Sequence, residues 1–227
     1  MTDYSNKKII EIGSYDVNGS VRQFFEKSFY VGVDLTVGPG VDIVCEGDKV
    51  DHPDNTYDIA ISCECFEHNP QWLETLENMY RMTKDGGVIV FTCATTGRAE
   101  HGTTRTSPKS SPGTQALNWD YYRNLTQQDF EEKLDLKKMF HSFCFLMNEK
   151  SCDLYFFAYK GDPNPEGVVS AAELKEICSR EQAELDALIV KRKKRERYIP
   201  KPLRQFFRTW YRAKFSSNSE SNLVRDF

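Results

Sequence analysis

The chain has 227 residues, 39% hydrophobic and 28% charged, which suits one sizeable α/β domain with an appendage. No apolar run approaches the roughly 20 residues that span a bilayer, and the polar start MTDYSNKK is not a signal peptide, so a cytoplasmic location is expected. The net charge of −4 conceals an acidic body and a basic tail: residues 1–190 carry 18 Lys/Arg against 31 Asp/Glu, and residues 191–215 carry eleven Lys/Arg against Glu196 alone. Seven cysteines fit reduced thiols better than a disulfide framework. Cys63 and Cys65 stand one residue apart, which is not a zinc-ligand spacing, so no metal is expected.

The first apolar run, Ile9-Ile10-Glu11-Ile12, ends at Gly13, and a small polar turn leads to a predicted helix over 21–27. A buried strand running into a tight turn and a helix start is how α/β proteins build a nucleotide-sized pocket. Val31–Leu35 is a second strand-like run carrying Asp34, and TVGPG separates it from a third, Val41–Cys45. Five residues with two glycines and a proline hold no helix, so the connection is a loop, and a parallel third strand is disfavoured. Tyr57–Cys63 is nearly continuous and apolar, as expected of a central strand buried on both faces.

Asn69 reads as a helix N-cap with Pro70 at the first helical position, and the helix runs through WLETLENMYRMTK to Asp85-Gly86-Gly87. Val88–Thr92 is the fifth strand, and the alternation predicts a parallel sheet with right-handed crossovers. Cys93 to Asn124 is long, irregular and polar, the texture of a lid or binding loop. Thr126 and Asp129 form a capping-box start, and Leu136–Leu146 with Cys152–Tyr159 read as a final hairpin. Residues 1–161 are expected to form the main domain, 162–169 a linker, 170–215 a helical basic and aromatic extension, and 216–227 a disordered tail. Ser170 with Glu173 is the capping box that opens the extension.

In their order these motifs resemble the class I S-adenosylmethionine-dependent methyltransferases of the small-molecule type, over roughly 7–160. Glu11-Ile12-Gly13-Ser14 is similar to the acid-x-Gly start of that family's first motif, with Tyr15 where a second glycine is frequent. The resemblance implies a Rossmann-like, doubly wound, mostly parallel sheet with an antiparallel last strand, and S-adenosyl-L-methionine as cofactor. It implies that Glu11, Gly13, Ser14, Tyr15, Asp34 and Leu35 surround the cofactor, with Asp34 on the ribose hydroxyls. Asp48, with Glu46 as competitor, would meet the adenine amino group, and Cys63 and Glu64 would line the cofactor's side. KDGGVIVFT is similar to the turn before the family's fifth strand, with Asp85 in place of a proline.

The implied reaction is in-line displacement at a sulfonium methyl group, for which positioning and exclusion of water matter most and no metal is needed. His101 and Asp120 are the candidate catalytic groups, with His68 as rival base; the plain alternative for each histidine is a structural hydrogen-bonding role. A small-molecule or glycan acceptor is expected, and the acidic body argues against nucleic acid. In the tail, Leu203, Phe206, Phe207, Trp210 and Tyr211 share one helical side and Arg204, Arg208 and Arg212 another. That pattern predicts an amphipathic helix in peripheral contact with an anionic membrane, or else self-association. The alternative from a different class is a binding or assembly module that keeps the fold without catalysis.

Overall fold

The computed structural model describes residues 5–161 and, beyond them, 170, 172–173, 175–180, 183 and 186–187. The chain divides into two compact units, Met1–Val168 and Val169–Phe227. In the second, the described residues from 172 to 187 are helical, and the Ser170 N–H and Oγ both donate to Glu173 Oε2, at 2.8 and 2.7 Å. The basic aromatic stretch 191–215, the linker and the last twelve residues lie outside the described residues. Among the described residues no helix is long and apolar enough to cross a membrane.

The first unit is built on a seven-stranded sheet in the order β3-β2-β1-β4-β5-β7-β6. Its strands are β1 (Lys8–Ile12), β2 (Phe29–Asp34), β3 (Ile43–Val44), β4 (Tyr57–Cys63), β5 (Thr83–Ala94), β6 (Phe140–Asn148) and β7 (Asp153–Lys160). The first five pair in parallel and β7 pairs antiparallel with both β5 and β6, the arrangement expected from the sequence except at β3, where the sequence disfavours a parallel pairing. Strand order reverses between β1 and β4, so the crevice at their carboxyl ends is where an open α/β sheet takes a ligand. Both Ile9 and Ile10 are fully buried, as a strand covered on two faces demands.

The larger core face holds Ile10, Ile12, Leu76, Met79, Phe91, Phe130 and Phe156, packed beneath helices α1 (Trp72–Met82) and α3 (Gln127–Lys133). Ring centroids lie 4.7 Å apart for Phe91–Phe156, 4.8 Å for Phe91–Phe130 and 4.9 Å for Phe66–Phe91. Phe91 on β5 thus ties the final hairpin, α3 and the segment after β4 into one cluster. The opposite face is thinner: Ile9, Tyr30, Ile59 and Ile61 pack against Val21 and Phe25.

Several local expectations need correction. Residues Val21–Phe25 form a 3-10 turn, since the chain must reach Phe29 in time to pair with Lys8. Helix α1 starts at Trp72; Asn69 instead makes an Asx turn, its Oδ1 accepting from Gln71 N–H at 2.9 Å and its Nδ2 donating to Thr75 Oγ1 at 2.8 Å. Strand β5 begins at Thr83, directly from the helix, and Asp85-Gly86-Gly87 sits in a register shift against β4. Leu136–Met139 is a helical turn, α4, with Asp135 capping Lys138 N–H, and only then does β6 begin. Strand β3 is two residues long yet parallel to β2, because its short loop folds back over the end of β1 in place of a helix. The capping box of Thr126 and Asp129 is present.

Lys160 closes the sheet at the far end from the crevice. Its Nζ is buried and donates to Asn55 Oδ1 (2.9 Å), Tyr80 O (2.9 Å) and Thr83 O (2.7 Å), and it lies 4.4 Å from the Tyr80 ring centroid. Two of those acceptors are backbone carbonyls at the end of α1, where a cation is favoured. Lys160→Met removes the donor from all three and is expected to cost about 2–4 kcal/mol in urea unfolding; an unchanged midpoint would show these contacts to be energetically idle.

Candidate functional site

The crevice between the ends of β1 and β4 is shaped first by backbone. Gly13 has φ +83°, and a Cβ on it would fall 2.6 Å from Cys65 Cβ, so the turn passes directly against the segment after β4. The Gly13 and Ser14 N–H groups donate to Val33 O at 2.9 and 3.1 Å. Asp34 then takes the next donors: its Oδ2 accepts from Tyr15 N–H at 3.0 Å and its Oδ1 from Leu35 N–H at 2.7 Å. Burial pushes the Asp34 carboxyl above its ordinary value, and the two N–H groups pull it back. The Tyr15 ring rests on the backbone of Gly38 in the loop after β2, whose ideal Cβ would lie 2.0 Å from Tyr15 Cε2. Tyr15 therefore gives the crevice its N–H while its ring is held by the neighbouring loop.

Other expected site residues follow from the same frame. Ser14 is buried with its Oγ unpartnered, and Asp48 sits in the 3-10 turn Gly47–Lys49 with Oδ1 buried and unpartnered. Glu46, the competitor for Asp48, is paired instead to Lys49 Nζ at 2.6 Å. Glu11 is 4% exposed and lies behind the turn, its Oε2 accepting from the Tyr30 hydroxyl at 2.8 Å. Cys63 is a thiol pushed up to about 12, by burial first and the nearby Glu11 next. Glu64 has φ +50°, and its Oε1 accepts from Thr92 Oγ1 at 2.8 Å while its N–H donates to Thr92 O. Two atoms of these residues, Ser14 Oγ and Asp48 Oδ1, are buried without a hydrogen-bond partner and have acceptor capacity left unmet. A nucleoside carrying an amino group and a ribose diol fits that donor demand.

The loop after β5 supplies the roof. A Cβ on Gly113, in helix α2 (Pro112–Ala116), would lie 2.5 Å from Asp34 Oδ1 and 3.2 Å from Leu35 Cβ, so this short helix lies against the end of β2. Gln115 Nε2 donates to Gly102 O at 2.9 Å, joining the two arms of the loop. Asp120 and His101 do not meet as a catalytic pair. The Asp120 carboxylate accepts from Thr104 N–H and Oγ1, both at 2.8 Å, and from Arg105 Nη1 at 2.7 Å. Those donors, Thr104 N–H foremost, hold it below the usual carboxylate value and commit it to bracing the loop.

His101 instead meets His68, with ring centroids 4.9 Å apart, edge to face, and Tyr122 packs on both at 5.1 and 5.3 Å. Its Nδ1 is 3.1 Å from Ala99 O, which places the proton there and leaves Nε2 free. His68 is buried and held down to about 4 by that burial, then by His101, so it is neutral near pH 7. Glu67 joins them, 0% exposed, and the sequence reading passed it over. The available signal was ECFEH, an acid beside a histidine just past the fourth strand.

Comparison with known families matches residues 3–145 to a family described as a methyltransferase domain. Among solved structures, phosphoethanolamine N-methyltransferase 2 of Haemonchus contortus, in complex with phosphomonomethylethanolamine and S-adenosylhomocysteine, is 14% identical with a TM-score of 0.51. The alignment covers 71% of this chain and 50% of that one, so the chain spans about half the length of that enzyme. The same enzyme with S-adenosyl-L-methionine aligns equally, and the CurJ carbon methyltransferase is 14% identical, covering 71% and 50%, with a TM-score of 0.49. Comparison with the curated proteins gave no match.

Glu11 makes the site's burial measurable. Desolvation raises its carboxyl to about 7 from 4.5, outweighing the Tyr30 hydrogen bond. Between those values the folded protein keeps a proton that the unfolded chain has released, so stability falls as pH rises across that window. The loss amounts to about 3 kcal/mol. Glu11→Gln keeps an acceptor for Tyr30 and does not titrate, so in urea unfolding it is expected to decline less than the wild type between pH 5 and pH 8. Parallel pH profiles for the two proteins would show that Glu11 titrates alike in both states.

Proposed function

The chain belongs to the class I S-adenosylmethionine-dependent methyltransferases, and we propose that it methylates a hydroxyl group of a small-molecule or glycan acceptor. S-adenosyl-L-methionine, its cofactor, supplies an electrophilic methyl group on a sulfonium that leaves as a neutral thioether. Asp34 would hold the ribose hydroxyls, since a carboxylate accepts two hydrogen bonds at once, and Asp48 Oδ1 is an unpartnered buried acceptor for the adenine amino group. The backbone at Gly13 and Ser14 and the side chains of Cys63 and Glu64 close the crevice around them. Glu11 and Tyr15 act at one remove, Glu11 through Tyr30 and Tyr15 by its N–H on Asp34.

The observation that carries the acceptor reading is the free Nε2 of His101 beside His68 and Tyr122, on the loop that roofs the crevice. A hydroxyl acceptor must lose a proton as its oxygen bonds to carbon, and a neutral imidazole is suited to receive it near pH 7. The roof segment excludes water, and Asp120 keeps it folded through Thr104 and Arg105. The basic stretch 191–215, with its six large aromatics, supports bringing this domain to an anionic membrane surface. Flotation with anionic liposomes should be lost when the chain ends near Gly167; equal flotation of both lengths would remove the membrane from the reading.

Calorimetry with S-adenosylhomocysteine followed by an assay against hydroxyl-bearing small molecules and sugars tests the whole. Asp34→Ala is expected to weaken binding at least tenfold. His101→Gln should bind as wild type while turnover falls by about 10²- to 10⁴-fold. Full turnover in His101→Gln would take the proton away from this residue, and a wild type that binds no S-adenosylhomocysteine would favour the non-catalytic module.

A further inference from the structure

Glu67 is a fully buried carboxyl that the surrounding fold leaves uncompensated. It is 0% exposed, yet neither carboxyl oxygen has a hydrogen-bond partner of ordinary geometry, and only the backbone N–H groups of Glu67 itself and of Ala94 give it weak support. Among the described residues no ion pair reaches it. His68, next in the same 3-10 turn, is 5% exposed with an unpartnered Nδ1. A buried carboxyl and a buried imidazole nitrogen both lacking partners are costly unless something else meets them.

The third member arrives from the roof. One ligand atom each from Glu67, His68 and His101 lie within 4.8 Å of one another. A divalent ion bound at about 2.1 Å by all three needs separations of roughly 3–4 Å, within reach of small side-chain rotations. His101 already has the arrangement typical of a metal-bound imidazole, with one ring nitrogen on a backbone carbonyl, Ala99 O, and the other free. Tyr122 packs on both imidazole rings.

We propose that Glu67, His68 and His101 form a binding site for a first-row divalent metal ion such as Zn²⁺, with open positions toward the acceptor side of the crevice. Two imidazoles and one carboxylate suit such an ion better than Mg²⁺ or Ca²⁺, which prefer oxygen ligands throughout. The ion neutralises Glu67 and satisfies His68, which removes the cost noted above. What the ion does rests on the methyl-transfer reading: an acceptor hydroxyl bound at an open position would release its proton to solvent more readily. With the ion bound, His101 Nε2 is a ligand, and its proton-accepting role belongs to the metal-free protein.

The full chain, stripped with a chelator, is titrated with ZnCl₂ by calorimetry and with CoCl₂ by visible absorption. One equivalent is expected to bind, with a cobalt spectrum carrying nitrogen-ligand intensity. His101→Ala lies on a loop and should fold; it is expected to weaken binding by tenfold or more, as is Glu67→Gln if circular dichroism shows it folded. His141→Ala, an exposed histidine on β6, should bind as wild type. Absence of binding to the wild type, or equal binding by His101→Ala, overturns the proposal. S-adenosylhomocysteine binding is measured on the same samples: binding without metal affinity leaves the methyl-transfer reading intact, and metal affinity without it leaves the site and removes the assigned chemistry.

Discussion

The crevice depends on how two strand ends share their backbone donors. Val33 O accepts from both Gly13 and Ser14, and the Asp34 carboxylate accepts from Tyr15 and Leu35, so the consecutive donors of the turn and one more from Leu35 are met by two adjacent residues of β2. That arrangement is possible only because Gly13 turns at positive φ while touching Cys65. Asp34 is therefore a structural residue before it is a binding one. A substitution there removes the acceptor for both N–H groups and loosens the turn after β1, whatever else the carboxylate binds.

Around this point the fold tolerates several buried ionisable groups with few counter-charges. Glu11, Asp34 and Glu67 are all pushed toward their protonated forms, in each case chiefly by burial, while His68 is pushed toward neutrality. Each is a cost that the apolar sheet must outweigh. The aromatic cluster on β5, with Phe91 between Phe66, Phe130 and Phe156, lies directly beneath the segment that carries Glu67 and His68. Packing of that kind holds the 3-10 turn Phe66–His68 in place although its polar side chains gain little from it.

Periodicity and punctuation made most of the sheet legible. Runs such as YDIAISC and VIVFT are apolar throughout because both faces are covered, and the hairpin at the end announces itself by its turn. Asp34 and Asp48 stand out through the resemblance to the family's motifs, and the structure puts Asp34 at the end of β2 and Asp48 in the 3-10 turn Gly47–Lys49. What stayed hidden depends on contacts between distant segments. No local rule places a two-residue parallel β3 after a five-residue loop, since the loop is stabilised by the β1 turn it rests on, through Asp16 N–H to Pro39 O. Asp120 looked like a base by its position and became a brace because Thr104 and Arg105, sixteen and fifteen residues earlier, fold onto it. Glu67 was hidden for the opposite reason: a helix-start acid is normally solvated, and only the roof of the crevice makes it buried.

That roof links the two halves of the site. Gly113 lies against Asp34, Gly102 lies over His68 so closely that a Cβ would be 2.6 Å from Cε1, and Gln115 Nε2 bonds Gly102 O between them. Asp120 fixes the same segment from outside. Asp34 and His68 are thus connected across the loop by close backbone approaches at Gly113 and Gly102 and by one hydrogen bond. Interiors packed at this density shift as units and do not yield locally. The two ends of this loop, at Asp34 and at His101, would on the proposed reading be set together, since positioning is most of what methyl transfer asks of the protein.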